Sequence, residues 1–150
     1  MNVTPIGGKS PSETLLGVAV NASGAVITER AWKTTVTKIV EDVEPTAGTH
    51  ACTAVDLSTA GAVSLRVSNA TNVPIELGLY SDVVNNTYVL RDSSWSTAKL
   101  TIPADRTNIV ITPDDWPILQ WLAKLRLYYK TTEDATAADK AVTIYAVTKG

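Results

Sequence analysis

Between residues 62 and 80 the chain changes polarity at almost every step. Val63, Leu65 and Val67 alternate with Ser64, Arg66 and Ser68. After a bend at 69–74, Ile75, Leu77 and Leu79 alternate with Glu76, Gly78 and Tyr80. A period of two sorts apolar and polar side chains onto opposite faces of a strand; a helix would scatter them around its axis. Two such strands need a second layer to cover their apolar faces, so the rest of the chain must supply one. Gly78 falls on the outward face, where the missing Cβ lets another backbone or side chain come close.

The remaining segments read as more strands, each bounded by turn residues. Short apolar runs at 15–20 and 25–28 flank the turn signal at 21–24 and make a hairpin. A helix over 29–40 is possible, but Trp32-Lys33-Thr34-Thr35-Val36-Thr37 is dense in branched residues, which favours a strand. An acidic loop at 41–48 leads to a strand over 49–57. A short strand at 87–90 precedes a surface loop at 91–97 that carries Trp95. Proline cannot donate to a ladder, so the strands before Pro103 and Pro113 should stop there or lie at an edge. The linker 104–106 suits a tight antiparallel return.

Asp114 and Asp115 can accept from the free N–H groups of one short helical turn near residues 114–123, and Pro117 is tolerated in a first turn. Trp116, Ile118, Leu119, Trp121 and Leu122 then supply apolar bulk to close one end of a core. Leu125, Leu127 and Tyr129 face one way, and Arg126, Tyr128 and Lys130 the other. A polar hairpin tip at 131–140 brings back a last strand, with Val142, Ile144 and Ala146 opposite Thr143, Tyr145 and Val147. The total is roughly eight to ten short strands at about 8–12-residue spacing. The expected fold is all-β, an antiparallel β-sandwich of jelly-roll-like arrangement, over residues 14–150. Residues 1–13, with Pro5, Gly7, Gly8 and Pro11, read as an extended N-terminal arm.

Composition agrees. The chain has no Phe and takes its aromatic bulk from Trp and Tyr, while Val, Thr and Ala abound. A 45% hydrophobic and 19% charged chain of 150 residues is typical of a packed domain. With a net charge of -2 and scattered basic residues, it lacks the basic stripe that a nucleic-acid partner selects. A single cysteine excludes an intrachain disulfide. The polar N-terminus is unlike a secretory signal, and no run reaches the ~20 apolar residues of a membrane helix. The chain is expected to be made in the cytoplasm and to stay off membranes.

Residues with catalytic potential do not converge in the sequence. His50 and Cys52 share a strand face, but parallel neighbours are poorly placed for proton transfer, and a buried thiol beside a partly exposed imidazole is the plainer reading. The carboxylates Glu41, Asp42, Glu44, Asp105, Asp114, Asp115, Glu133 and Asp134 lie in predicted loops; Glu41, Asp42 and Glu44 match no calcium-loop spacing, and the sequence neither supports nor excludes a glycosidase pair. Gly7-Gly8-Lys9-Ser10 lacks the first glycine, the strand and the helix of a phosphate loop. No catalytic residue, metal ligand or cofactor is expected. The aromatics are the better candidates. Tyr128, Tyr145 and Tyr80 have outward parity, and Trp95 sits in a loop. Each can stack on a sugar or anchor a protein interface.

The arm Thr4-Pro5-Ile6-Gly7-Gly8, the strand endings LTIP and VITP, and the polar tip at 131–140 resemble small all-β structural proteins of tailed bacteriophages, of the head decoration (cement) type. That resemblance implies a non-enzymatic protein on the outer surface of a virion head, often trimeric, that clamps neighbouring subunits of the major capsid protein. Thr4, Pro5, Ile6, Trp95, Tyr128 and Tyr145 are the candidate contact residues. The alternative is a carbohydrate-binding or host-attachment module that uses exposed aromatics.

Overall fold

A computed structural model of the chain describes residues 19–20, 26–27, 32–43, 45–91, 95–135 and 141–150. The expected arm, with Thr4, Pro5 and Ile6, lies outside the described residues. The chain forms two compact units, Met1–Trp32 and Lys33–Gly150. In the first, β1 (Ala19–Val20) and β2 (Val26–Ile27) pair antiparallel, as the turn signal at 21–24 predicts.

The strands of the sandwich lie in the second unit. It comprises β3 (Thr34–Val43), β4 (Gly48–Ala51), β5 (Val55–Asp56), β6 (Ala62–Asn69), β7 (Ile75–Leu79), β8 (Lys99–Ile102), β9 (Arg106–Ile111), β10 (Lys124–Leu125), β11 (Leu127–Thr131) and β12 (Val142–Lys149), with a 3-10 turn at Pro117–Gln120. Two antiparallel sheets carry the fold, in the strand orders β4-β11-β7-β8 and β3-β12-β6-β9; β5 and β10 form a small extra pair. The pairings nest, β3 with β12, β4 with β11, β6 with β9 and β7 with β8, and successive pairs alternate between the sheets. That connectivity is a jelly roll.

The alternation read from the sequence sets the core. Leu65, Val67, Ile75, Leu77, Leu79, Leu127, Val142, Ile144 and Ala146 from facing strands join one buried cluster. Gly78 is approached as closely as its parity predicts. Tyr128 lies opposite it in register, and a Cβ there would sit 2.0 Å from Tyr128 Cζ.

Two connections differ from the expected hairpins. β8 and β9, joined by 103–105, belong to different sheets, and so do β11 and β12. The linker and the polar segment after Thr131 are therefore crossovers between layers. Asp105, at φ 53, makes the first of them sharp, since its short side chain tolerates the left-handed region.

A buried polar clamp holds that crossover. Asn69 and Thr71 are fully buried. Asn69 Nδ2 donates to the carbonyls of Val73 (2.8 Å) and Pro103 (3.0 Å), and Asn69 Oδ1 accepts from Thr71 Oγ1 (2.6 Å) and Thr71 N (3.2 Å). Asp105 N donates to Thr71 O at 2.9 Å. One amide thus ties the β6–β7 turn to the β8–β9 crossover, and satisfies backbone groups that no ladder reaches.

Both edge strands of the β3-β12-β6-β9 sheet are irregular. The β3–β12 register shifts on either side of Ile144, and the slip turns the consecutive residues Ile39 and Val40 both inward. The β6–β9 register shifts between Val67 and Asn69, where Asn108 takes φ 58. Bulges of this kind twist an edge away from pairing with another chain.

Candidate functional site

The β7–β8 connection, residues 80–98, is the longest excursion between two paired strands. It is closed by bridges between Tyr80 and Thr87 and between Val89 and Thr97. Ser81 N donates to Asn86 O (2.6 Å) and Leu90 N to Ser96 O (2.7 Å). Arg126, just before β11, donates from Nη1 to Ser81 O (3.1 Å) and from Nη2 to Asn85 Oδ1 (3.3 Å). Asp82 Oδ1 accepts from the Tyr88 hydroxyl (2.5 Å) and Asp82 Oδ2 from Ala123 N (3.1 Å). The Tyr88 hydroxyl bond holds the Asp82 carboxyl below the usual carboxylate range. Residues 81–85 are therefore pinned to the β9–β11 connection.

That pinning presents apolar side chains to solvent. Val83 is 84% exposed, and Val84 and Val89 are exposed too. Trp95, 66% exposed, projects from a backbone at φ 51. Trp121, two residues from the Ala123 contact, is 81% exposed. The sequence places Trp121 in the core, and the structure overturns that. In a 3-10 turn, residues three apart eclipse one another, so Trp116, Leu119 and Leu122 line the buried side and Trp121 is turned out. Beside this turn lies a groove of about 420 Å³, lined by residues that include Leu57, Val63, Pro113, Leu119 and Leu122. The expected capping by Asp114 and Asp115 is absent as well. The turn has no side-chain cap; instead Asp115 Oδ2 accepts from Thr112 N (2.9 Å) and Thr112 Oγ1 (3.0 Å), which lowers its pKa.

The other candidates lie elsewhere. Tyr128 faces outward from its sheet but is only 6% exposed, because it lies across Gly78 and packs against Tyr80 with ring centroids 5.0 Å apart. It offers little surface to a partner. Tyr145 is half-buried on the outward face of the opposite sheet, and its hydroxyl donates to Glu41 Oε1 at 3.1 Å. Trp95, Tyr128 and Tyr145 therefore mark separate places on the sandwich. Val83, Val84, Val89 and Trp121 escaped the sequence reading; the adjacent valines 83 and 84, flanked by Asp82 and Asn85, were the one available signal.

His50 and Cys52 behave as the plainer reading has it. The imidazole stacks on Tyr129 with centroids 4.9 Å apart, and Nε2 donates to Thr46 O at 2.9 Å. Burial pushes the Cys52 thiol up to about 11, the reverse of what a nucleophile needs. Among the described residues no group of three His, Cys, Asp or Glu side chains is placed to hold a metal ion.

No family model matches the chain, and no curated protein sequence matches it. Among solved structures it is similar to the SPBc2 prophage-derived protein YomS, with a TM-score of 0.50 and 6% identity over 83% of this chain and 99% of that one. At that identity the likeness is one of fold.

Proposed function

We propose that the chain is a non-enzymatic structural protein of a bacteriophage particle, a decoration protein that binds the outside of the head as a homotrimer and stabilises contacts between major capsid protein subunits. The observation that carries this reading is the pinned loop end with Val83, Val84, Val89, Trp95 and Trp121 exposed. Large apolar side chains on a hydrogen-bonded frame suit an interface, where buried aromatics act as anchors. The fold likeness to a prophage-derived protein supports a phage-related chain. Thr4, Pro5 and Ile6 of the arm extend the contact over the neighbouring subunit.

The test is addition of the purified chain to undecorated heads of the phage whose genome carries it. It should co-sediment with the heads and raise the temperature at which they disrupt. Trp121→Ser combined with Val83→Ser should weaken both effects. An unchanged disruption temperature at saturating protein would overturn the proposal.

A further inference from the structure

The outward face of the β3-β12-β6-β9 sheet carries a second arrangement, which head binding through the loop end leaves unused. The register sets Tyr145 in one transverse row with Lys38 on one side and Arg66 on the other. The neighbouring row pairs Thr143 with Ser68. Beyond Ser68 the β9 bulge places Asn108 at φ 58, and Asn108 N donates to Ser68 Oγ at 3.1 Å. Arg66, Ser68, Asn108, Thr143 and Tyr145 together line a hollow of about 170 Å³. That is room for one small ring, well short of the ~300 Å³ and more of a drug-sized pocket.

Among the described residues the charges around it do not cancel. Lys38 is ion-paired with Glu41, whose other oxygen accepts from the Tyr145 hydroxyl. Arg66 has no ion-pair partner among the described residues. A bulge alone is explained as a device that blunts an edge strand. It does not explain a guanidinium without an acid beside a half-buried aromatic ring and a row of hydroxyls. The chemistry of the set is specific. A tyrosine ring offers a face to the C–H side of a pyranose. A guanidinium fork matches a carboxylate with two parallel hydrogen bonds. The Ser68 hydroxyl, which accepts from Asn108, keeps its own proton to donate, and the Asn108 amide and Thr143 hydroxyl can serve sugar hydroxyls.

We propose that this hollow binds one acidic sugar unit of a surface polysaccharide. Arg66 takes the carboxylate, the Tyr145 ring carries one sugar face, and Ser68, Asn108 and Thr143 meet the hydroxyls. The site is separate from the loop end, so it holds or fails independently of head binding.

The test uses the isolated full chain, labelled with ¹⁵N, titrated with trigalacturonic acid and with the neutral trisaccharide maltotriose. The acidic trimer should shift amide signals of Arg66, Ser68, Asn108 and Tyr145 at millimolar concentration. Arg66→Gln, an exposed position, should weaken binding by roughly tenfold or more. Tyr145→Phe, which keeps the ring, should bind as the parent does, while Tyr145→Ala should not bind. Absence of shifts with the acidic trimer, shifts confined to another face, equal binding of maltotriose, or unchanged binding by Arg66→Gln would each overturn the proposal.

Discussion

Asn69 is the residue whose loss should cost the fold most for its size. Replacing it with alanine removes the bonds donated to Val73 O and Pro103 O, with a longer one to Ile102 O (3.4 Å), and two accepted ones, from Thr71 Oγ1 and Thr71 N. Some of these groups recover. Thr71 Oγ1 already lies 3.0 Å from Val73 O and can donate there, and Pro103 is exposed enough for water to reach its carbonyl. Thr71 N is left buried without its side-chain acceptor, and the clamp on the crossover is gone. A buried polar group stranded in this way costs about 1–3 kcal/mol, and each lost net bond about 1 kcal/mol. Asn69→Ala should therefore destabilise by about 3 kcal/mol, which for a chain of this size lowers Tm by roughly 6–12 °C. Urea unfolding is the assay; the midpoint should fall with the slope m unchanged. Thr71→Val, which loses one hydroxyl but keeps its shape, should cost about 1 kcal/mol. Asn69→Asp should cost more than Asn69→Ala at neutral pH, because it aims a carboxylate at two carbonyls. Its cost should shrink as pH falls, since only the protonated acid can donate to one of them. A loss below about 1 kcal/mol in Asn69→Ala, or an Asn69→Asp variant as stable as the parent at pH 7, would refute the clamp.

Other perturbations follow from the same contacts. Gly78→Ala drives a methyl into the Tyr128 ring and should destabilise by about 1–3 kcal/mol; in a Tyr128→Ala background the same change should be close to neutral, so a double-mutant cycle reads the coupling. Cys52, pushed up from 9.0 to about 11, should react with iodoacetamide at pH 8 about a hundredfold more slowly than an unhindered thiol, as mass spectrometry can follow. Asp82 titrates below its ordinary value of 3.8 when folded, so its stabilising contribution is complete above that value and is lost as pH falls through the lowered one; Asp82→Asn should flatten that acid loss in hydrogen exchange of the 81–90 amides. Trp121→Ser should change stability by less than about 0.5 kcal/mol, since its side chain touches solvent, yet weaken the proposed head binding by about 2 kcal/mol, the size of an aromatic anchor.

The strands were legible because their signal is local. Val63, Leu65 and Val67 alternate with polar residues, and so do Val142, Ile144 and Ala146; each set faces the core as its parity requires. The close approach at Gly78 was legible too, although not that Tyr128 would make it. What escaped is decided between distant residues. Residues 103–105 are as suitable for an arch between layers as for a hairpin, and only the pairing of β9 with β6 settles which. Trp121 was misplaced because a single 3-10 turn has a period that the sequence does not announce. The candidate sites were least legible of all. Arg66 and Asn108 lie 42 positions apart (108 − 66), and a register shift brings them to one hollow.

The nesting of strand pairs bears on how the chain can assemble. β12 is a central strand, hydrogen-bonded to both β3 and β6, yet it follows every other strand in order of synthesis. Tyr145 meets Glu41 across a separation of 104 residues. Closing so long a loop is entropically uphill before any contact repays it, which places such topologies among the slow folders. The inner pair β7–β8 and the pair β6–β9 can form first, while the ten residues of β3 wait without their partner. During that interval β3 can pair with an identical strand of another nascent chain. The bulge at Asn108, which forms as soon as β9 pairs with β6, then guards the unfinished roll as well as the finished one, by making that edge a poor template for a stranger, while the shift around Ile39 comes only with β12.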